Sequence, residues 1–269
     1  MQTIGLIGAG RMGLPIVGHL ARAGFRVLVS ERDPARGPEI AARGAEVVEL
    51  TRLAAESEAI LVCVGYDREV RELIQAPHGL LAAARPGAII AVLSTIHPKT
   101  MQELARHAAE HGVHVVDSTV CRGGRAADEG TLLSFVGGDP EVVERLRPVL
   151  RAYSSDVVHS GGVGTAQVSK AANNLILWAC LVANHEGLAL AQRYDVDVEA
   201  LRAALMTSSA TNGALGNWGG QSMAWAQDDM AIVAEMAEDC GIALPQSGVV
   251  REVCRSLKPR RYQLEKYGL

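Results

Sequence analysis

Short aliphatic runs and segments of helical period alternate through the first half of the chain. Thr3–Ile7, Arg26–Ser30, Ala59–Val64, Ala88–Leu93 and Val113–Val116 have the length and apolar content of strands. Between them, Met12–Ala23 and Pro98–Glu110 repeat their apolar positions at helical spacing. Ser134–Val136 and Val157–His159 add two later strands. Strands alternating with helices predict βαβ units and a mostly parallel sheet.

The pattern changes after Gly161-Gly162-Val163-Gly164. From Thr165 to Tyr194 the one strong breaker is Gly187, and apolar residues recur at Val168, Ala171, Ala172, Leu175, Ile176, Ala179 and Val182. This spacing predicts one helix of about 30 residues, about 45 Å long. From Val198 onward the periodicity is helical throughout. The prediction is therefore an α/β domain over residues 1–162 and an all-α domain over 163–269 that opens with a long connecting helix. The polar, basic stretch Lys258–Lys266 is expected to fray.

Composition narrows the functional classes. With 48% hydrophobic residues the chain is no disordered segment, and its 28 glycines exclude a coiled coil. A net charge of −4 argues against nucleic acid or an anionic membrane as partner. The longest apolar run, Leu175–Ala183, is far shorter than the roughly 18 residues of a membrane span. The N-terminus reads directly as a strand and carries no signal-peptide pattern. The five cysteines form no C-x-x-C pair, which fits reduced thiols and a cytoplasmic location.

The first strand ends in Gly8-Ala9-Gly10-Arg11-Met12-Gly13, a G-x-G-x-x-G between a strand and a helix. In that context Gly8 allows the tight turn, Gly10 lets backbone approach a pyrophosphate, and Gly13 lets helix pack on strand. Free N–H groups, those of Arg11 and Met12 among them, and the helix dipole would hold the phosphates. Glu31 closes the second strand, placed to accept hydrogen bonds from the adenosine ribose, which favours NAD. Arg32 beside it is the residue type that binds a 2′-phosphate, so NADP stays open.

From the glycine turn onward the sequence resembles the β-hydroxyacid dehydrogenases, which include 3-hydroxyisobutyrate dehydrogenase and tartronate semialdehyde reductase and are related to 6-phosphogluconate dehydrogenase. The resemblance rests on Gly8 to Pro15 with His19-Leu20 and Gly24, and on Pro86-Gly87 leading to Ser94-Thr95 and Pro98. It continues through Asp117 to Gly124, Gly130-Thr131-Leu132, Gly137-Gly138, and Gly164 with Lys170-Ala171-Ala172-Asn173-Asn174. It covers residues 1 to about 205. It implies a Rossmann domain, a long connecting helix and a helical second domain, assembled as a homodimer or homotetramer. It implies reversible, NAD(P)-dependent oxidation of a small β-hydroxy acid, or reduction of its semialdehyde. Lys170 then matches the catalytic lysine and Asn174 the substrate-orienting asparagine. Val64 falls on the cofactor side, Ser94 or Thr95 near the nicotinamide ribose, and Cys121, Arg122 and Gly123 on the loop that takes the substrate's acid group. Independently of the family, Lys170 and Asn174 lie four apart, hence on one helix face, and a lysine can exchange a proton with a hydroxyl as hydride moves.

The chain also departs from the family pattern. Cys121 and Arg122 stand where the family has serine and glycine. Arg122 adds bidentate anion-binding capacity and suggests a dicarboxylate, sulfonate or phosphonate substrate, unless it turns outward or contacts cofactor phosphate. Cys121 reads as a small buried thiol or a redox-sensitive nucleophile. The segment from Asn212 to Asp228 looks shortened, and Asp228 falls where the family places a second lysine. Trp218 and Trp225 are expected in the core, unless they replace with apolar surface the wall that the lysine would form. His107, His111 and His114 lack the carboxylate pattern of a metal site and read as a solvated helix end. Two other readings stay open: an imine reductase, against which Lys170 counts, and an NAD-binding regulatory protein without turnover.

Overall fold

The computed structural model describes residues 1–258 and 262–268. It divides into two compact units, Met1–Lys170 and Ala171–Leu269.

The first unit is built on eight strands: β1 Thr3–Ile7, β2 Arg26–Ser30, β3 Glu46–Val47, β4 Ala59–Val62, β5 Ile89–Val92, β6 His114–Cys121, β7 Leu132–Gly137 and β8 Ser154–Gly161. Their order in the sheet is β3-β2-β1-β4-β5-β6-β7-β8. All neighbours are parallel except β6 and β7. The helices of this unit are α1 Gly13–Arg22, α2 Gly37–Ala42, α3 Leu50–Glu56, α4 Asp67–Gln75, α5 Pro98–Ala109, α6 Gly123–Glu129 and α7 Pro140–Arg151. The long helix α8, Thr165–Arg193, begins in the first unit and continues into the second. α9 Val198–Leu205, α10 Gly213–Gly216, α11 Ala226–Cys240 and α12 Pro245–Leu257 complete the second unit.

β4 and β5 are buried along their whole length, the behaviour of strands covered on both faces. Alternate residues feed separate cores. Ile4, Leu6, Leu61 and Ile89 pack with Ile16, Val17 and Leu20 of α1. Ile60, Val62, Ile90 and Val92 pack with Leu53, Ile74 and Leu104 of α3, α4 and α5. Gly5 sits where α3 comes closest: a Cβ there would lie 2.6 Å from Leu53 Cδ2 and 2.7 Å from Ser57 Oγ.

Two strands depart most from the sequence prediction. β3 is two exposed residues long, too short to leave a periodic signal. β6 runs on through Asp117, Ser118 and Thr119, polar residues that the sequence places in a loop and the fold buries completely. Residues 163–170, grouped with the helical part in the sequence, cluster with the sheet.

By length and composition alone α8 could cross a membrane. Its Trp178, Leu181 and Val182 instead pack on Met230, Val233 and Val250 of the same unit, as the core helix of a globular domain does. Trp178 Nε1 also donates to Asp229 at 3.1 Å. Trp218 is half-buried against this core, whereas Trp225 is half-exposed at the start of α11, correcting its expected burial.

The basic tail holds a second correction. Residues 259–261 lie outside the described residues, but those that follow are tied down. Leu264 is buried, Tyr267 O accepts from Arg193, and Tyr267 Oη donates to Glu186. Tyr262 N–H donates to Nε2 of the buried His185, whose Nδ1 faces the Leu181 carbonyl at 2.8 Å. This pattern requires the neutral tautomer with its proton on Nδ1.

Two outcomes are expected. Gly5→Ala should overpack the contact with α3 and lower stability by about 1–3 kcal/mol in chemical denaturation; an unchanged midpoint would contradict the packing described. Burial also holds the His185 imidazole below its ordinary 6.5. Its folded pKa is the lower one, so its contribution is complete above 6.5 and is lost as pH falls below that value. Thermal melts from pH 8 to pH 5 should show this loss, and His185→Gln should flatten that part of the profile.

Candidate cofactor and active site

The chain runs outward in both directions from the neighbouring strands β1 and β4. Such a switch point leaves a crevice at the C-terminal strand ends, where open α/β sheets bind ligands. The glycine turn occupies it. Gly8 has φ +91°, and a Cβ there would lie 2.1 Å from the Cys63 carbonyl oxygen. A Cβ at Gly13 would lie 2.1 Å from the Gly8 carbonyl oxygen, while Gly10 faces open space. Among the described residues no protein acceptor takes the Arg11, Met12 or Gly13 amides, and Met12 gives α1 no side-chain cap. A bare helix N-terminus beside an open glycine backbone fits the pyrophosphate of a dinucleotide.

Charged residues surround this turn. The Glu31 carboxylate accepts from the amides of Ala9 and Asp33, both at 3.1 Å, which fixes it beside the turn. Arg32 is paired with Glu69 at 2.9 Å. Arg36 donates to the Ala9 carbonyl at 2.6 Å. Arg36 and Arg43 line a cleft of about 420 Å³ with Gly10, Arg11 and Asp128. The sequence pattern did not single out Arg36 or Arg43, although Arg36 follows Glu31 and Arg32 closely enough to have been considered. Val64 N–H donates to Ser94 Oγ at 2.9 Å, and Ser94 Oγ donates back to the Val64 carbonyl at 2.8 Å. This pair joins the ends of β4 and β5. Thr95 is half-buried in the turn after β5. Burial pushes the Cys63 thiol up to about 11, which disfavours its thiolate.

At the end of β6 the chain turns through Arg122, whose φ of +82° lies in the left-handed region. The sequence leaves its guanidinium open to a substrate anion, an outward turn or a cofactor phosphate; the fold engages it at the edge of the sheet. Nη1 donates to Asp156 Oδ2 and Ser155 Oγ, both at 2.8 Å, and to the Thr131 carbonyl at 3.0 Å. Asp156 lies 34 residues downstream, and nothing local in the sequence announces the pair. Gly124 makes room for another side chain: a Cβ there would lie 2.5 Å from the Arg11 guanidinium, which crosses to Asp128 as a two-bonded ion pair. The cofactor turn and the helix after the substrate turn are thereby linked.

The head of α8 is held by β6. Asp117 accepts from the amides of Gly164 at 2.8 Å and Gln167 at 3.0 Å. Burial pushes its carboxyl up, and these amides pull it part of the way back. Thr119 Oγ1 donates to the Ala166 carbonyl at 3.0 Å. Gln167 is buried, accepts from Ile96 N–H at 3.0 Å and donates to the Ser94 carbonyl at 2.8 Å. One turn on, Lys170 Nζ donates to the Val120 carbonyl at 2.7 Å and lies 3.9 Å from Cys121 Sγ. Lys170 therefore stands at the root of the turn that carries Cys121, Arg122 and Gly123. Cys121 is buried, as a small core thiol would be. Asn174 belongs to the second unit, is buried there, and accepts from Asn173 Nδ2 at 3.0 Å. Asp228 is exposed in the first turn of α11, a favourable place for a carboxylate. His107 and His111 stack edge-on at the end of α5, with His107 beside Glu110.

A family model described as the NAD binding domain of 6-phosphogluconate dehydrogenase matches residues 3–162. A second, described as the NAD-binding domain of NADP-dependent 3-hydroxyisobutyrate dehydrogenase, matches residues 164–265. The chain belongs to the β-hydroxyacid dehydrogenase family. Members use NAD(P), and the fit of the glycine turn described above agrees with that. The chain is 31% identical to the 2-hydroxy-3-oxopropionate reductase of Escherichia coli, over 94% of this chain and 90% of that protein. The solved 3-hydroxyisobutyrate dehydrogenase of Mycobacterium tuberculosis with L-serine superposes with a TM-score of 0.86 at 25% identity, covering 97% of this chain and 94% of that one. An imine reductase of Myxococcus stipitatus in complex with NAD⁺ shares the fold, with a TM-score of 0.71 at 20% identity over 95% and 93% of the two chains.

Gly13→Ala should force α1 away from the Gly8 carbonyl. Fluorescence titration with NADH should show affinity weakened by about fivefold or more, the equivalent of the about 1–3 kcal/mol of overpacking expected there. Wild-type affinity would contradict the packing of the turn.

Proposed function

We propose that this protein interconverts a small β-hydroxy acid and its semialdehyde, with Lys170 as general acid and base and NAD as the preferred cofactor. The observation that carries the reading is the place of Lys170. Its Nζ donates to the Val120 carbonyl, one residue before the substrate turn, and that turn and the glycine turn both follow the C-terminal ends of parallel strands. The bound nicotinamide would supply or accept the hydride. As the free amine, Lys170 Nζ takes the hydroxyl proton when the hydroxy acid is oxidised, and as the resulting ammonium it returns the proton to the carbonyl oxygen in reduction. The Val120 carbonyl orients the ammonium through its hydrogen bond. Cys121, Arg122 and Gly123 shape the turn that receives the acid group. The Arg122 side chain contributes through its hold on Asp156, which favours a substrate with a single carboxylate over one with two acidic groups. Asn174 orients the substrate. The preference for NAD is supported by Glu31, fixed beside the turn by two amides, and by the engagement of Arg32 with Glu69.

A homodimer or homotetramer is supported by α8, which leaves Ile176 and Leu190 more than 60% exposed.

Lys170→Ala should cut turnover by about two to four orders of magnitude, measured at nicotinamide absorbance with 3-hydroxyisobutyrate, L-serine and related hydroxy acids. Dinucleotide binding should remain. An active Ala variant, or a wild-type protein that reduces cyclic imines and turns over no hydroxy acid, would overturn the reading. The kcat/KM ratio for NADH against NADPH tests the cofactor preference.

A further inference from the structure

We infer that Gln167 is a positioning residue that sets the nicotinamide end of the cofactor site against the helix turn carrying Lys170. The inference rests on the reading of Lys170 and of the turn after β5 given above. Its geometry lies wholly within the first unit.

Gln167 is 1% exposed and sits three residues before Lys170. Its side-chain amide uses both ends on one turn of backbone. Oε1 accepts from Ile96 N–H at 3.0 Å, and Nε2 donates to the Ser94 carbonyl at 2.8 Å. That turn leaves the C-terminal end of β5, the end at which open α/β sheets bind ligands. Ser94 is held in turn by Val64 at the end of β4. On its own helix, the Gln167 amide N–H donates to Asp117 at 3.0 Å. Backbone and side chain of this residue thus tie three segments together: the middle of β6, the turn after β5 and the head of α8. Both Ile96 N–H and the Ser94 carbonyl would lose a buried partner if the side chain were apolar, and buried amide groups without partners are costly. The turn would then shift to recover hydrogen bonds. That shift would move the nicotinamide-facing backbone and leave the pyrophosphate turn between β1 and α1 in place.

The test separates the two ends of the dinucleotide. Gln167→Met matches the volume and removes both hydrogen bonds. Its affinity for NADH, read by fluorescence titration, should fall by about tenfold, whereas its affinity for ADP-ribose, which lacks the nicotinamide, should stay within about twofold. Equal loss for both ligands, or no loss for NADH, would overturn the inference. Gln167→Glu supplies a second reading if the Met variant does not fold. An ionised carboxylate faces the Ser94 carbonyl with no donor, but a protonated carboxyl again offers one donor and one acceptor. NADH affinity of Gln167→Glu relative to wild type should therefore recover as pH falls, with ADP-ribose as the pH-matched control. A pH-independent ratio would sink the assignment. Lys170→Ala, carried in parallel, should leave NADH affinity intact, so failure of the proton-transfer reading appears in turnover and failure of this inference in binding.

Discussion

The carboxylate of Asp117 lies fully buried in β6 and accepts two amide hydrogens from the head of α8. A helix begins with amide groups that have no partner inside the helix, and its N-terminal end carries partial positive charge. One buried carboxylate answers both needs at once. It also fixes where α8 starts relative to the sheet, and with it the phase of every side chain on the first turns. Val120, three residues further along β6, meets Lys170 at the next turn of the helix. A strand and a helix are joined at two levels, and the second level is the candidate chemistry.

Room for these contacts is made by residues without side chains. Gly137 lies against Asp117, and a Cβ there would fall 2.5 Å from Oδ1. Gly124 clears the path by which Arg11 reaches Asp128. The ion pair itself is largely exposed, 61% and 52% for its two side chains, so its worth lies in geometry more than in stability. The pyrophosphate turn, the substrate turn and the head of α8 are thereby joined by short polar links, each enclosed in a different way: by solvent at Arg11, by the sheet edge at Arg122, by the core at Asp117.

Much of this was legible in the sequence, for reasons that differ along the chain. The parallel strands announce themselves because burial on both faces demands continuous aliphatic runs, as in Ala-Ile-Leu-Val of β4. The glycine turn is legible because three backbone positions there exclude a Cβ or need open space. Lys170 stands out only through its motif context. The second half of β6 was not legible, since Asp117, Ser118 and Thr119 carry the composition of a loop, and Asp117 and Thr119 are buried for their partners at the head of α8. The direction of Arg122 was hidden for the same kind of reason: its partner is distant in sequence and adjacent only across strand ends. The docking of the tail on His185 depends on a single imidazole tautomer that no pattern of residue types encodes.

The position of β1 bears on how the chain reaches this structure. Five residues, Thr3–Ile7, lie between β2 and β4 and form the seam of the sheet. The strand on one side, β2, arrives some twenty residues later, and the other, β4, only after residue 58. During synthesis β1 could pair with β2 first, but its other edge would wait for β4 until more than fifty further residues had followed. Such long-range pairing slows folding and prolongs the exposure of an apolar edge. The same five residues that lead into the cofactor turn therefore also hold the sheet edge that stays open longest during folding.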